Sequence, residues 1–236
     1  MQVAVVTFDG FNELDSLICA HIVNRVDRPG WRAQITGASR VVTSMNGLVL
    51  EVEQPLEYVT EADAVVFGSG RATAAAASDA SILDRLSLRP ESQLIASQCS
   101  GALFLRELGL ILDMPICTDS RTAESGLLDG HEVLAQPFHA VGRIATAGGC
   151  LAAHYLATWL IWCGAGRQVA LDALSYVLPR GEEELYEGRV IRNVESYVTD
   201  AATAVATRRA GAGVALRRSS QSRRPAARAS RLSDPT

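Results

Sequence analysis

The stretch from Gln93 to Leu105 constrains this chain more than any other. Leu94-Ile95-Ala96 reads as a buried strand, which breaks at the polar pair Ser97-Gln98. The chain turns at Cys99-Ser100-Gly101 and continues as an apolar-periodic helix through Leu108. A strand, a sharp turn and a helix in that order hold the turn side chain at the carboxyl edge of a sheet, over a helix N-terminus. Unpaired N–H groups and the helix dipole there favour a thiolate over a thiol. Cys99 is therefore the first candidate for a reactive residue, and the Ser100 N–H is a natural oxyanion donor beside it.

The surrounding pattern tells what kind of sheet carries this turn. Gln2 to Thr7 is a β-branched apolar run that predicts a central strand. Phe8 to Asn12 is a turn, and Leu14, Leu17, Ile18, Ile22 and Val26 fall at helical spacing. Trp31 to Gly37 is read as an alternating strand, and Val41 to Glu53 as a hairpin about Asn46-Gly47. Ala64 to Phe67 is a buried strand running into Gly68-Ser69-Gly70, followed by an Ala-rich helix in two pieces. Arg121 to Leu128 predicts a short helix, His131 to Leu134 a short strand, and His139 falls in a loop. Arg143 to Ala147 is the next strand, then Gly148-Gly149 and a long apolar helix to Cys163. Arg167 to Tyr176 is a further helix, and Glu182 to Asp200 an amphipathic peripheral one.

Alternating strands and helices imply a mostly parallel sheet covered on both faces. Ligands in such sheets sit beyond the carboxyl ends of the strands. Three loops should meet there: Gly68 to Arg71, Cys99 to Gly101, and Gly148 to Cys150. Residues 1–200 are expected to form this α/β domain. Residues 207–236 are Ala-, Arg-, Ser-, Pro- and Gly-rich and are expected to be a basic, disordered tail.

Composition removes several function classes. The chain has no lysine, so Schiff-base and P-loop lysine chemistry are excluded. Five dispersed cysteines without CxxC spacing argue against a disulfide framework and a structural zinc site. No apolar run is long enough to span a bilayer, and Met1 to Thr7 is strand-like, not a signal peptide, so a cytoplasmic protein is expected. Eight arginines against one acid from Arg208 onward leave the preceding residues at −11 within a total of −4. That tail has the charge to touch nucleic acid, but a solvated extension is the preferred reading, with no nucleic acid as partner.

Other residues are candidates beside Cys99. Ser69 and Gly70 offer further N–H donors for developing negative charge. Glu13 and Asp15 open the first helix, where acids complement the dipole; either is also placed to act as a general acid and base beside the cysteine. A carboxylate there would have its pKa raised by a thiolate. His21, His131, His139 and His154 are each read as surface or core histidines, and no pair has metal-ligand spacing, so no metal is assigned.

Residues 2 to 178 resemble the ThiJ/PfpI superfamily, of the class I glutamine-amidotransferase-like fold. The resemblance rests on Phe8-Asp9-Gly10-Phe11 with Leu14-Asp15, on Asp63 to Thr73, on Ser97 to Leu110, and on Thr146-Ala147-Gly148-Gly149 with the helix after it. It implies a flavodoxin-like three-layer sandwich with a nucleophile elbow at Cys99, and a homodimer. Asp15 at the Leu-Asp position resembles the isonitrile (isocyanide) hydratase branch. By that resemblance Cys99 attacks the isocyanide carbon, Asp15 moves the proton, and a covalent thioimidate releases an N-substituted formamide, without cofactor. Ser100 matches the hydroxyl residue after the nucleophile, and Ser69, Gly70, Gly148 and Gly149 line the substrate and oxyanion side. The sequence departs from the pattern downstream, where Cys117-Thr118-Asp119-Ser120 lacks the usual histidine. Gly68 stands for the usual proline and Ser69 for the first glycine of the glycine pair, and Ser16 to Ala20 lacks a Gly-Pro. The missing histidine disfavours a triad hydrolase, and the other departures imply a different substrate shape around the cysteine. The alternatives are a glyoxalase-like activity on reactive carbonyls and a non-catalytic ligand- or redox-sensing domain.

Overall fold

A computed structural model describes residues 1–198; the Arg-rich segment 207–236 lies outside them. Short apolar runs become strands: β1 (Gln2–Val6), β2 (Arg32–Gly37), β5 (Gln54–Pro55), β6 (Ala64–Phe67), β7 (Leu94–Gln98), β8 (Phe138–Val141) and β9 (Ile144–Ala147). They form one sheet in the order β5-β2-β1-β6-β7-β9-β8. Every pairing is parallel except β8 with β9. The predicted hairpin is present as β3 (Val41–Thr43) and β4 (Val49–Glu51), which pair apart from the main sheet.

Helices cover both faces, which gives the expected three layers. On one side lie α1 (Glu13–Val23), α6 (Ala153–Ala165), α7 (Arg167–Ser175) and α8 (Glu183–Val194). On the other lie α2 (Thr73–Ala77), α3 (Ala80–Leu83) and α4 (Ala102–Glu107), while α5 (Ser120–Glu124) stands above the carboxyl edge. The two-residue period of the strands feeds both cores. Val3, Val5, Ala64, Val66, Leu94 and Ala96 face the α1/α6 side. Ala4, Val6, Val65, Phe67 and Ile95 face the α4 side. Burial on both faces is why these strands read as unbroken apolar runs.

Four expectations are corrected. Residues 33–37 of β2 are buried without interruption, so it does not alternate; it lies between β1 and β5. His139 lies in β8, not in a loop, because Phe138-His-Ala-Val pairs antiparallel with β9 at the sheet edge. His131 to Leu134 forms no strand, only a bridge between Val133 and Ile116. The helix at 121–128 is shorter, ending at Glu124.

Register brings the site together. Val6 is opposite Phe67, Phe67 opposite Ser97, and Gln98 opposite Ala147, so the loops leaving β1, β6, β7 and β9 share one edge. The sheet's order reverses direction at β1, flanked by β2 and β6, and ligands bind at such switch points. The elbow is pressed close to its neighbour. A Cβ on Gly101 would meet the Phe67 carbonyl and lie 2.8 Å from that of Gly68. Gly101→Ala should therefore cost about 1–3 kcal/mol, whereas Gly188→Ala, in an open stretch of α8, should be neutral or stabilising by up to about 1 kcal/mol. Urea midpoints of the two variants check this, and equal midpoints would contradict the packing described.

Candidate functional site

Cys99 follows β7 at the head of a 3-10 turn, Cys99–Gly101, that leads into α4. Its φ of 50° makes it the one non-glycine residue in the left-handed region among the described residues. An L side chain there costs on the order of 1–2 kcal/mol, which the packing on either side of the elbow sustains. The Cys99 side chain is 2% exposed and its carbonyl accepts from the Thr118 hydroxyl at 2.9 Å. The Gln98 side-chain amide donates to its sulfur at 3.4 Å and to the Gly149 carbonyl at 2.8 Å. The Ser100 hydroxyl donates to the Thr73 hydroxyl oxygen at 2.9 Å, tying the elbow to α2.

The two acids of α1 separate cleanly. Glu13 points to the β3–β4 hairpin, accepting from the Ser44 hydroxyl and, at 2.9 Å, from the Asn46 amide. Those bonds hold its pKa below the usual carboxylate range. Asp15, two residues along and therefore on the other side of the helix, is fully buried and faces the cysteine. Its Oδ2 accepts from the Ser69 hydroxyl, and its Oδ1 has no hydrogen-bond partner among the described residues. A carboxylate oxygen, the Cys99 sulfur and the Cys150 sulfur all lie within 4.8 Å of one another. Two sulfurs and a carboxylate oxygen would suit a borderline cation such as zinc, a donor set that residues so far apart in sequence do not announce.

The electrostatics differ from the sequence expectation. Burial raises the pKa of Asp15, partly opposed by the Ser69 hydroxyl and the two thiols, and the charge of Asp119 raises it further. Burial also pushes the Cys99 thiol up, as does the negative charge of Asp15, while the Gln98 amide works the other way. A helix N-terminus alone does not make this thiol acidic, because the sulfur is buried and has an acid beside it. Two such groups share charge: ionising one raises the cost of ionising the other. Burial thus favours the neutral carboxyl and the neutral thiol, and a charge on either one opposes a charge on the other.

A cavity of about 650 Å³ opens onto this pair. Asp15, Ser69, Gly70, Cys99 and Ser100 are on its wall; Gly148 and Gly149 are not. The Gly148 N–H donates to the Pro137 carbonyl at 3.1 Å, and the Gly149 carbonyl serves Gln98. These glycines shape the site from behind: a Cβ on Gly148 would strike the backbone of Thr118. Asp119 is on the wall and caps α5, accepting from the Thr122 N–H at 3.1 Å and its hydroxyl at 2.7 Å. No histidine is among the residues on this wall. His21 and His154 line a second, largely apolar cavity, and His139 lies against Tyr197. Sequence reasoning missed Cys150 and Asn12, whose amide donates to the Cys150 sulfur at 3.2 Å. The signal for Cys150 was its place directly after the glycine pair leaving β9.

The raised Asp15 pKa has a measurable consequence. The native state holds this proton more tightly than the unfolded chain does. The resulting stability is fully present below the unfolded pKa, about 3.9, and is lost as pH rises through the folded value. The Asp15→Asn variant carries no charge there, so it should gain on the wild type as pH rises above about 4. Denaturant midpoints across that range measure it, and a constant difference would mean that Asp15 is not raised.

No family model matches the sequence, and no curated protein matches it. Solved structures do match in shape. A ThiJ/PfpI family protein from Pseudomonas syringae aligns with TM-score 0.65 and 21% identity, over 86% of this chain and 90% of that one. Schizosaccharomyces pombe DJ-1 aligns with TM-score 0.65 and 15% identity, over 76% and 100%. Drosophila melanogaster DJ-1beta aligns with TM-score 0.64 and 18% identity, over 73% and 94%. With its three layers, its parallel sheet and a cysteine at the strand-helix elbow, this chain has the DJ-1/ThiJ/PfpI fold.

Proposed function

We propose that the chain is a cofactor-free, cysteine-dependent hydratase of a small electrophile, acting on an isocyanide to give an N-substituted formamide. The observation that carries this reading is the buried Asp15–Cys99 pair on a cavity wall with no histidine. Triad hydrolysis needs an imidazole that takes a proton from the nucleophile and gives it to a leaving group. Hydrating an isocyanide has no such leaving group. It needs one group that gives a proton and takes one back, which is what a carboxyl of raised pKa beside a thiol does.

In the proposed reaction the Cys99 sulfur, as thiolate, attacks the terminal carbon while Asp15 delivers its proton to that carbon. The product is a thioimidate, with a new S–C bond and the former isocyanide nitrogen doubly bonded to carbon. Asp15, now a carboxylate, takes a proton from water as the water oxygen adds to the same carbon. The nitrogen receives that proton from Asp15, and the S–C bond breaks to return the thiolate. The hydroxyl proton passes to Asp15 as the carbonyl forms, which restores the acid, and one water has been added to one isocyanide. Ser69 holds the carboxyl in place throughout, and the Ser100 N–H, in the first turn of its helix and without an intrahelical acceptor, faces the developing charge. The small-molecule substrate, the homodimer and the cytoplasmic setting remain part of this proposal.

The test is formamide production from an alkyl isocyanide, followed by proton NMR. Asp15→Asn should lower kcat by about 10²–10⁴-fold, and Cys99→Ala should abolish turnover, with both variants folded by circular dichroism. Full activity in Cys99→Ala would refute the mechanism. Turnover of 2-oxoaldehydes without isocyanide hydration would replace it with the glyoxalase-like alternative.

A further inference from the structure

Cys150 is not needed for the chemistry above, yet it shares the site. It opens the 3-10 turn Cys150–Ala152 after β9, is half-buried, and lines the cavity. Its sulfur lies within 4.8 Å of the Cys99 sulfur and of an Asp15 oxygen. The remaining cysteines have no such setting: Cys19, Cys117 and Cys163 are buried, and burial pushes each thiol up to about 12. Two thiols of five therefore meet on one cavity wall, with a carboxylate oxygen of Asp15 close to both.

We infer that Cys99 and Cys150 are a modification site, forming a reversible intramolecular disulfide when the cavity admits a hydroperoxide. A disulfide requires the sulfurs at about 2.05 Å. A change of staggered rotamer at Cys150 swings its sulfur by about 3 Å, on the scale of the gap. The swing gives up the N–H···S contact from Asn12 at 3.2 Å. The preceding Gly149 sits at φ 88° with nothing within 4 Å of its Cβ direction, so the turn has room to follow.

The chemistry balances in two steps. One thiol gives its proton to Asp15, and the thiolate sulfur attacks a peroxide oxygen. The O–O bond breaks, sulfur is oxidised to sulfenic acid, and with one proton the departing oxygen leaves as water. The second thiol then attacks the sulfenic sulfur, forming the S–S bond and expelling a second water. Two thiols and one hydrogen peroxide become one disulfide and two waters. The product blocks Cys99 as a nucleophile toward any electrophile and keeps it from further oxidation to sulfinic acid. This inference does not depend on which substrate Cys99 attacks.

Reduced full-length protein is treated with a few equivalents of hydrogen peroxide, denatured, alkylated and mapped by mass spectrometry. Two of the five thiols should disappear, Cys99 and Cys150 should appear in one cross-linked pair lighter by two hydrogens, and dithiothreitol should restore both. In Cys150→Ala, Cys99 should instead gain two oxygens that dithiothreitol does not remove. Cys19→Ser should behave as the wild type. Oxygen uptake at Cys99 of the wild type with no link to Cys150, or a link between another pair, overturns the inference. The mapping is made on wild-type protein, so a misfolded variant does not decide it. A cross-link without isocyanide turnover upholds this inference and removes only the proposed activity; turnover without a cross-link does the reverse.

Discussion

A carboxyl group and a thiol, both buried and both facing one cavity, cannot both be charged. That constraint organises the carboxyl edge of this sheet. In water each group would titrate at its own pH. Here Asp15 has one oxygen bonded to Ser69 and one with no hydrogen-bond partner among the described residues, and the Gln98 amide donates to the Cys99 sulfur. Neither environment supplies enough donors to hold a full charge alone, so the ionisation of one decides that of the other. In the proposed reaction this coupling lets a proton move between the two groups without a histidine as carrier.

The scaffold holds that pair at a cost in backbone freedom. Cys99 sits at φ 50°, in the left-handed region that an L side chain rarely adopts. Gly101 lets α4 start against the carbonyls of Phe67 and Gly68, and Gly70 packs directly on Gly10 and Phe11. These contacts join the loops after β1, β6 and β7 into one unit. Asp15 and Cys99, far apart in sequence, then share a cavity because β1, which leads into α1, and β7 end level with one another. Strain of this kind persists where the surroundings over-determine it, and such places are commonly functional.

Most of the architecture was legible because the central strands are buried on both faces. Runs such as Gln2 to Thr7 and Ala64 to Phe67 carry their burial in their composition, and the polar pair before Cys99 marks the end of β7. The edge strand β8 was not legible. Phe138-His-Ala-Val follows a proline, carries a histidine, and pairs on one side only, so its pattern resembles a loop. The cysteine elbow and the acid at Asp15 could be named from position, but the choice between Glu13 and Asp15 rests on where the β3–β4 hairpin folds back. The direction of the Cys99 shift was also beyond the sequence. A helix N-terminus is visible in residue order, whereas the burial and the neighbouring acid that outweigh it are tertiary facts.

Asp119 marks how this site differs from one built on a histidine. Its carboxylate is taken up by the Thr122 N–H and hydroxyl, so it caps α5 and does not reach for the sulfur. Its influence on the pair is through space, as a negative charge that adds to the raising of Asp15. An imidazolium at that wall would act in the opposite sense, stabilising a thiolate and drawing Asp15 toward its ionised form. With an acid there, the neutral carboxyl is favoured, and a neutral carboxyl is the form that can donate a proton. The same substitution that removes a triad base thus strengthens the case for Asp15 as the acid, and leaves Cys150 as the other group on the wall able to react with the Cys99 sulfur.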